Sequence, residues 1–229
     1  MTCVRAGAET ARPTRPEQWG RAPPARAMPH TAAMQEAEVR AAVTRRVEFE
    51  HRTAPDTLVV HELGLARAGA RIDIAVVNGR LTGWEIKTAA DSLVRLPHQQ
   101  RAYSQVFDRV WLAADRRHIQ PALEMVPWWW GIVRADQTDA ACVLRVVRPS
   151  RLNRDVDLLA LVRLLWRDEV AEELSGLGAA RTLLRAPREV LWNALAAAVP
   201  GRLSRSALQA RVRLRLRSRA GWRADSPRR

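Results

Sequence analysis

The chain has 229 residues, 47% of them hydrophobic and 27% charged, with a formal net charge of +14. This length gives one or two domains with enough apolar material for a real core, which excludes a wholly disordered chain. Cys3 and Cys142 are the only cysteines, which excludes a disulfide framework and a zinc cluster. No apolar run nears the roughly 18 residues of a membrane span and no secretory signal opens the chain, so a soluble cytoplasmic protein with no membrane partner is expected.

Residues 1–33 carry Pro13, Pro16, Pro23, Pro24 and Pro29 among Arg, Ala and Gly, a composition that breaks helices and offers little to bury. A disordered leader is expected there, with Met28 and Met34 as alternative starts. Over 35–51, Val39, Ala42, Val43, Val47 and Phe49 mix with charges as one apolar helical stripe requires. Strands are predicted over 58–61, 71–77 and 81–87, the second with Ile72, Ile74 and Val76 alternating against Asp73 and Ala75. Asn78-Gly79 joins the last two as a hairpin. A helix over 96–107, a strand over 109–114 and a helix over 116–125 follow, giving the order αβββαβ and then α. A further strand pair over 128–134 and 141–147 completes an α/β core spanning 34–150.

After Pro149 the period becomes helical, with helices predicted over 155–174 and 187–199 and a Ser204-capped helix reaching about Arg219. Val212, Leu214 and Leu216 also fit a period of two. Residues 151–229 thus form a basic helical module. Its end, 200–229, holds ten Arg against one Asp, a large part of the excess charge. Such density favours phosphate polymers or anionic lipid as partners, a solvated arginine-rich tail being the alternative.

All but one of the 38 basic residues are arginine, and the exception is Lys87 in Gly83-Trp84-Glu85-Ile86-Lys87. A strand puts Glu85 and Lys87 on one face. Arginine cannot replace a compact ammonium beside an attacking water, because guanidinium is a broad fork that stays protonated. Whether Asp73 joins them depends on register. A two-residue turn at Asn78-Gly79 pairs Asp73 with Trp84 and sends Glu85 to the wrong face. A three-residue loop Val77-Asn78-Gly79, with Gly79 left-handed, pairs Asp73 with Gly83 instead and gathers Asp73, Glu85 and Lys87 on one face. The acids are then diagonal neighbours roughly 7 Å apart, with space at Gly83 for a hard cation. The three-residue loop is the prediction. Such a face suits phosphodiester hydrolysis, with Mg²⁺ (or Mn²⁺) on Asp73 and Glu85 and Lys87 orienting the water. It equally suits a polar sheet surface with an ion pair worth about 0.2–1 kcal/mol.

These residues make the chain resemble the PD-(D/E)XK nuclease superfamily, the restriction-endonuclease-like fold. Arg71-Ile72-Asp73 and then Glu85-Ile86-Lys87 fall on successive strands after an N-terminal helix, although Arg71-Ile72 replaces the superfamily's proline. Within it, the chain is similar to an uncharacterised bacterial family through Glu62-Leu63-Gly64, Asp91-x-Leu93-x-Arg95-Leu96-Pro97-x-Gln99, Tyr103, Phe107-Asp108 and Pro127-x-Trp129-Trp130-Gly131. The resemblance covers about residues 35–150, and more loosely Leu164-Leu165-Trp166-Arg167. It implies a three-layer core and a metal-dependent nuclease in which Asp73 and Glu85 hold the metal and Lys87 is the base or water-positioning group. Gln99 and Tyr103 match a Gln-x-x-x-Tyr helix and share a face at i, i+4 spacing. Glu62 and Glu38 are additional candidate carboxylates; pairing with arginines and plain helix-surface exposure are their competing readings.

Trp128-Trp129-Trp130 offers a stacking platform for unpaired bases or, preferred here, packing residues on alternate faces of a strand. The last two predicted helices form either a helix-turn-helix presenting Arg211, Arg215 and Arg219 to nucleic acid or, preferred, a helical hairpin capping the core. The five histidines show no ligand spacing. The sequence reading is therefore a Mg²⁺-dependent DNA endonuclease or nickase, with nucleic acid as its partner. Its rivals are a non-catalytic nucleic-acid-binding or regulatory protein on the same fold, and an interaction protein whose arginines meet an acidic partner.

Overall fold

Val39, Ala42, Val43 and Val47 are buried along one stripe of helix α1 (Glu36–His51), which lies as a single layer on the sheet. Phe49, expected in that stripe, is 61% exposed, because it stands two residues past Val47 and so about 200° further round the helix. The computed structural model describes residues 35–54, 56–65, 68–138 and 141–219. The leader predicted over 1–33 lies outside the described residues.

Six strands follow in one mixed sheet whose spatial order is the chain order: β1 (Leu58–Leu65), β2 (Ala70–Val77), β3 (Leu81–Lys87), β4 (Arg109–Asp115), β5 (Gly131–Gln137) and β6 (Cys142–Arg148). The first three are antiparallel, β3, β4 and β5 are parallel, and β6 returns antiparallel. Parallel neighbours need long crossovers. Helices α2 (Leu96–Val106) and α3 (Arg116–Met125) supply them, so both begin at the end of the sheet where Lys87 lies. The mixed α/β class and the predicted αβββαβα order stand.

Two strand predictions change. The first strand runs on to Leu65, and the tryptophan run is a turn, closed by the Trp130 N–H donating to the Pro127 carbonyl at 3.0 Å. Alternation therefore does not apply to it. Trp130 is buried and stacks on Tyr103 with ring centroids 6.1 Å apart, Trp129 is half-buried, and Trp128 is 68% exposed with Arg151 over its ring. The next residue must be glycine, since a Cβ on Gly131 would lie 2.2 Å from the Trp111 ring opposite it on β4.

The helix predicted over 155–174 is broken. Asp157 accepts the Leu159 and Ala160 N–H groups to start α4 (Leu158–Val162), and Glu169 accepts the Trp166 N–H to start α5 (Arg167–Gly176). Short α6 (Arg181–Leu184) was not expected; α7 (Arg188–Ala196) and α8 (Arg205–Ser218) match the later predictions. In α8 Leu208, Val212 and Leu216 are buried while Leu214 is exposed, so the four-residue period decides against a strand. These helices share one apolar cluster with α2 and the sheet face beneath it; Leu161, Leu191 and Val212 join Leu96, Phe107 and Leu112. The boundary predicted at residue 150 thus does not separate two cores.

Replacing Gly131 with Ala should cost about 1–3 kcal/mol by forcing the Trp84–Trp111 stack aside. A urea midpoint unchanged from that of the parent would show that the Trp111 ring yields freely.

Candidate active site

Strand β2 lets go of both neighbours at Asp73. Its ladder with β1 pairs His61 with Ile74 and Leu63 with Ile72 but leaves out Glu62 and Asp73, and its ladder with β3 ends at Ile74 opposite Trp84. The Asp73 side chain takes over there, its Oδ2 accepting the Ile86 N–H at 2.7 Å. Ile72 and Ile74 then fall in the cores on opposite sides of the sheet. The regular alternation expected for Ile72, Ile74 and Val76 therefore fails at Asp73.

The hairpin loop has three residues, as predicted, but they are Asn78, Gly79 and Arg80, so Val77 pairs with Leu81 and Gly83 faces Ala75 rather than Asp73. Asn78 sets this position by accepting the Arg80 N–H on Oδ1 while its own N–H donates to the Arg80 carbonyl, both at 3.0 Å. Gly79 is not left-handed; Gly69 and Gly178 are the glycines with positive φ among the described residues. The space expected at Gly83 is filled, with Ile72 Cδ1 only 2.9 Å from where a Cβ would stand. Both registers have the same parity. The observed ladder stops one pair short of Asp73, whose carboxylate meets β3 through the Ile86 N–H instead.

Glu85 and Lys87 are 2% and 4% exposed, and the Lys87 ammonium donates to Glu85 Oε1 at 2.6 Å. Gln99 Nε2 donates to the same oxygen at 2.6 Å, and Tyr103 donates to Oε2 at 2.8 Å, so the predicted i, i+4 pair on α2 does share the face turned to Glu85. The Tyr103 hydroxyl also lies 2.7 Å from the Arg71 carbonyl, so its single proton serves two acceptors. Burial and the Glu85 charge push its own ionisation far up, which keeps it a donor. Gln99 Oε1 is buried and has no hydrogen-bond partner among the described residues.

Glu62 adopts a positive φ of 57°. Such a backbone costs on the order of 1–3 kcal/mol in a non-glycine residue and is held only where its surroundings compel it. Here they are two ion pairs, Arg71 Nε on Oε2 at 2.6 Å and Arg40 Nη2 on Oε1 at 2.8 Å. Arg40 also reaches Asp73 Oδ1 at 3.2 Å and the Asp73 carbonyl at 3.0 Å. Glu38 is not part of the cluster; it accepts the Gln35 N–H at 2.9 Å and caps α1. Its helix contributes Arg40 and Glu36 instead, neither of which the sequence singles out beyond their i, i+4 spacing.

Even with Arg40 beside it, Asp73 is raised to about 7. Burial and the neighbouring Glu85 charge outweigh the Ile86 N–H and the Arg40 guanidinium. Hard oxygen donors fit a divalent ion held by Asp73 and Glu85, with Glu62 beside them. Among the described residues no three His, Cys, Asp or Glu side chains gather as a metal site.

The row Arg211, Arg215 and Arg219 is engaged by acids of α5, with only Arg219 buried and the Arg211 side chain 42% exposed. Arg211 and Arg215 clamp Glu173 at 2.7 and 2.6 Å, and Arg219 pairs with Glu169 at 2.6 Å. Burial acts to raise the Glu173 carboxyl, but the two guanidinium groups hold it below its ordinary range.

The family model for bacteriophage P4 protein cII matches residues 30–221, most of the chain. The chain belongs to that family. Protein cII of Enterobacteria phage P4 itself is 23% identical over 123 residues, which is 54% of this chain and 47% of that protein, so the match spans about half of the relative's length. A solved Silicibacter pomeroyi protein of unknown function aligns at 22% identity and a TM-score of 0.38, over 63% of this chain and 94% of its own. No helix among the described residues is long and apolar enough to cross a membrane.

The Asp73 shift has a stability consequence. A carboxyl whose folded pKa of about 7 exceeds its unfolded value of 3.8 keeps its proton longer in the native state, so stability falls as pH rises between the two and then levels off. Asp73→Asn should therefore be more stable than the parent at pH 8, with the advantage fading toward pH 4. Parallel pH profiles of the two melting temperatures would refute the raised carboxyl.

Proposed function

We propose that this protein is a metal-dependent nuclease with a restriction-endonuclease-like core, cleaving phosphodiester bonds of nucleic acid, DNA above all. One observation carries the reading: a buried lysine bonded to Glu85, beside a second acid, Asp73, that burial and the Glu85 charge keep from ionising normally. A sheet-surface ion pair would be exposed and would leave its carboxylates at ease. The strained Glu62 supports the same reading, since unfavourable backbone collects at functional sites.

The divalent ion, Mg²⁺ or Mn²⁺, would supply charge neutralisation at a phosphoryl oxygen and acidify a water molecule. Asp73 and Glu85 would hold it. Lys87 orients the attacking water and offsets charge that develops on the phosphoryl group. Gln99 presses Glu85 with its amide N–H and keeps its unpartnered carbonyl for a water or substrate proton. Tyr103 fixes the second Glu85 oxygen. Arg95 and Arg116, both exposed where α2 and α3 begin at the sheet end that carries Lys87, would form a rim for the phosphate backbone.

A second reading, a non-catalytic nucleic-acid-binding or regulatory protein on the same fold, draws on Arg40, whose guanidinium already bonds Asp73 and Glu62. Incubation with supercoiled, linear and single-stranded DNA and with RNA, with Mg²⁺ or Mn²⁺, separates the two. Cleavage should require the ion and fall by about a hundredfold or more in Asp73→Ala and Lys87→Ala. Salt-sensitive DNA binding with no turnover under any of these conditions would favour the second reading, and cleavage that survives both substitutions would place the activity elsewhere.

A further inference from the structure

Three cations serve this cluster: Arg71 pairs with Glu62 alone, while Lys87 and Arg40 flank the two candidate ligands Glu85 and Asp73 and differ in freedom. Lys87 is sealed in at 4% exposure, whereas the Arg40 side chain is 23% exposed at the rim. One Arg40 nitrogen, Nη2, faces three carboxylate oxygens: Glu36 Oε1 at 2.6 Å, Glu62 Oε1 at 2.8 Å and Asp73 Oδ1 at 3.2 Å. That nitrogen has only two hydrogens, so the three acceptors cannot all be served at once, and Asp73 is the most distant. Glu36 is one helical turn back on the same helix, 56% exposed, and already holds the guanidinium by its shortest contact.

We infer that Arg40 is a resident, displaceable cation of the site, which competes with a divalent ion for Asp73 and Glu62 and falls back on Glu36 when the ion arrives. The inference rests on the metal-dependent reading above. A positive charge within contact distance of the acids neutralises them without chemistry of its own, so it holds the acid cluster together in the absence of the ion. The same charge repels the ion and occupies oxygen positions the ion would use. Arg40 is a positioning residue in this scheme, and Glu36 is where it rests.

Calorimetric titration of the full chain with Mn²⁺ alone tests this without recourse to turnover, with Asp73→Asn as the blank that defines site binding. Arg40→Gln should bind Mn²⁺ about tenfold or more tightly than the parent, the scale of one lost repulsive contact. Glu36→Gln removes the fallback position and should weaken binding by up to about twofold, the scale of one exposed i, i+4 pair. If circular dichroism shows that Arg40→Gln does not fold, Arg40→Lys keeps the charge, but its single ammonium cannot bridge the same acceptors, and an intermediate tightening is expected. Equal or weaker binding in the folded Arg40 variants overturns the role of Arg40 alone. Absence of Asp73-dependent binding in the parent and every variant overturns the metal reading, and this inference with it.

Discussion

A carboxylate can be carried at 2% exposure only if every oxygen is answered, since a bare buried charge costs several kcal/mol. Glu85 meets that condition with Lys87 from its own strand and with Gln99 and Tyr103 from the helix laid over it. Tyr103 is in turn fixed by the Trp130 ring stacked on it and by Phe107 edge-on, so the turn before β5 and the end of α2 both bear on one oxygen of Glu85. The second acid is then disturbed by the first. Asp73 feels the Glu85 charge, and the cation that partly relieves it comes from α1, on the other side of the sheet. Two layers can reach one cluster because β2 is unpaired from both neighbours at Asp73. The break in the ladder is the opening through which the site is assembled.

Much of this was legible in the sequence, and the parts that were not have identifiable causes. The stripe of α1, the crossover helices and the i, i+4 pair Gln99 and Tyr103 follow from spacing, because packing against a sheet enforces the helical period. The parity of the hairpin register also followed, since a slip of one residue would have reversed the faces of β3. The loop position did not follow, because it depends on the Asn78 side chain closing onto Arg80 rather than on a glycine conformation. Nor did the turn of the chain at Asp73, where a strand pattern assumes alternation and a side chain bonding to Ile86 breaks it. Arg40 was hidden by abundance. With arginine filling nearly every basic position, no single one stands out until the fold sets it among three acids.

The same abundance hid the partners of the C-terminal helix, because a net-charge argument treats each arginine as a surface charge facing outward. In α8 the spacing of Arg211 and Arg215 matches an acidic face on α5 instead, and Arg213 reaches Asp108 at 3.3 Å. Asp108 also accepts the Leu81 N–H at 2.7 Å, at the start of the strand that carries Glu85 and Lys87. The helical end is therefore tied by charge to the strand that bears the cluster, and it shares that strand's apolar core. This explains why the change of period after Pro149 marks a change of secondary structure rather than a second core.

The choice between the two kinds of cation follows from counting acceptors. Guanidinium carries five N–H donors in a fixed plane, and a buried donor left unmet costs about 1–3 kcal/mol. Arg40 stands where acceptors are plentiful, three carboxylates and the Asp73 carbonyl, with solvent within reach for the rest. At position 87 the Glu85 oxygens are already shared with Gln99 and Tyr103 and solvent is shut out, so a fork would strand several donors. A single ammonium on a flexible stem fits that restriction, and it alone presents its remaining protons without fixing their plane. An ion pair on an open sheet surface would impose no such choice, because water would satisfy either side chain. The solitary lysine of an arginine-rich chain thus marks the place where charge is needed and acceptors are few.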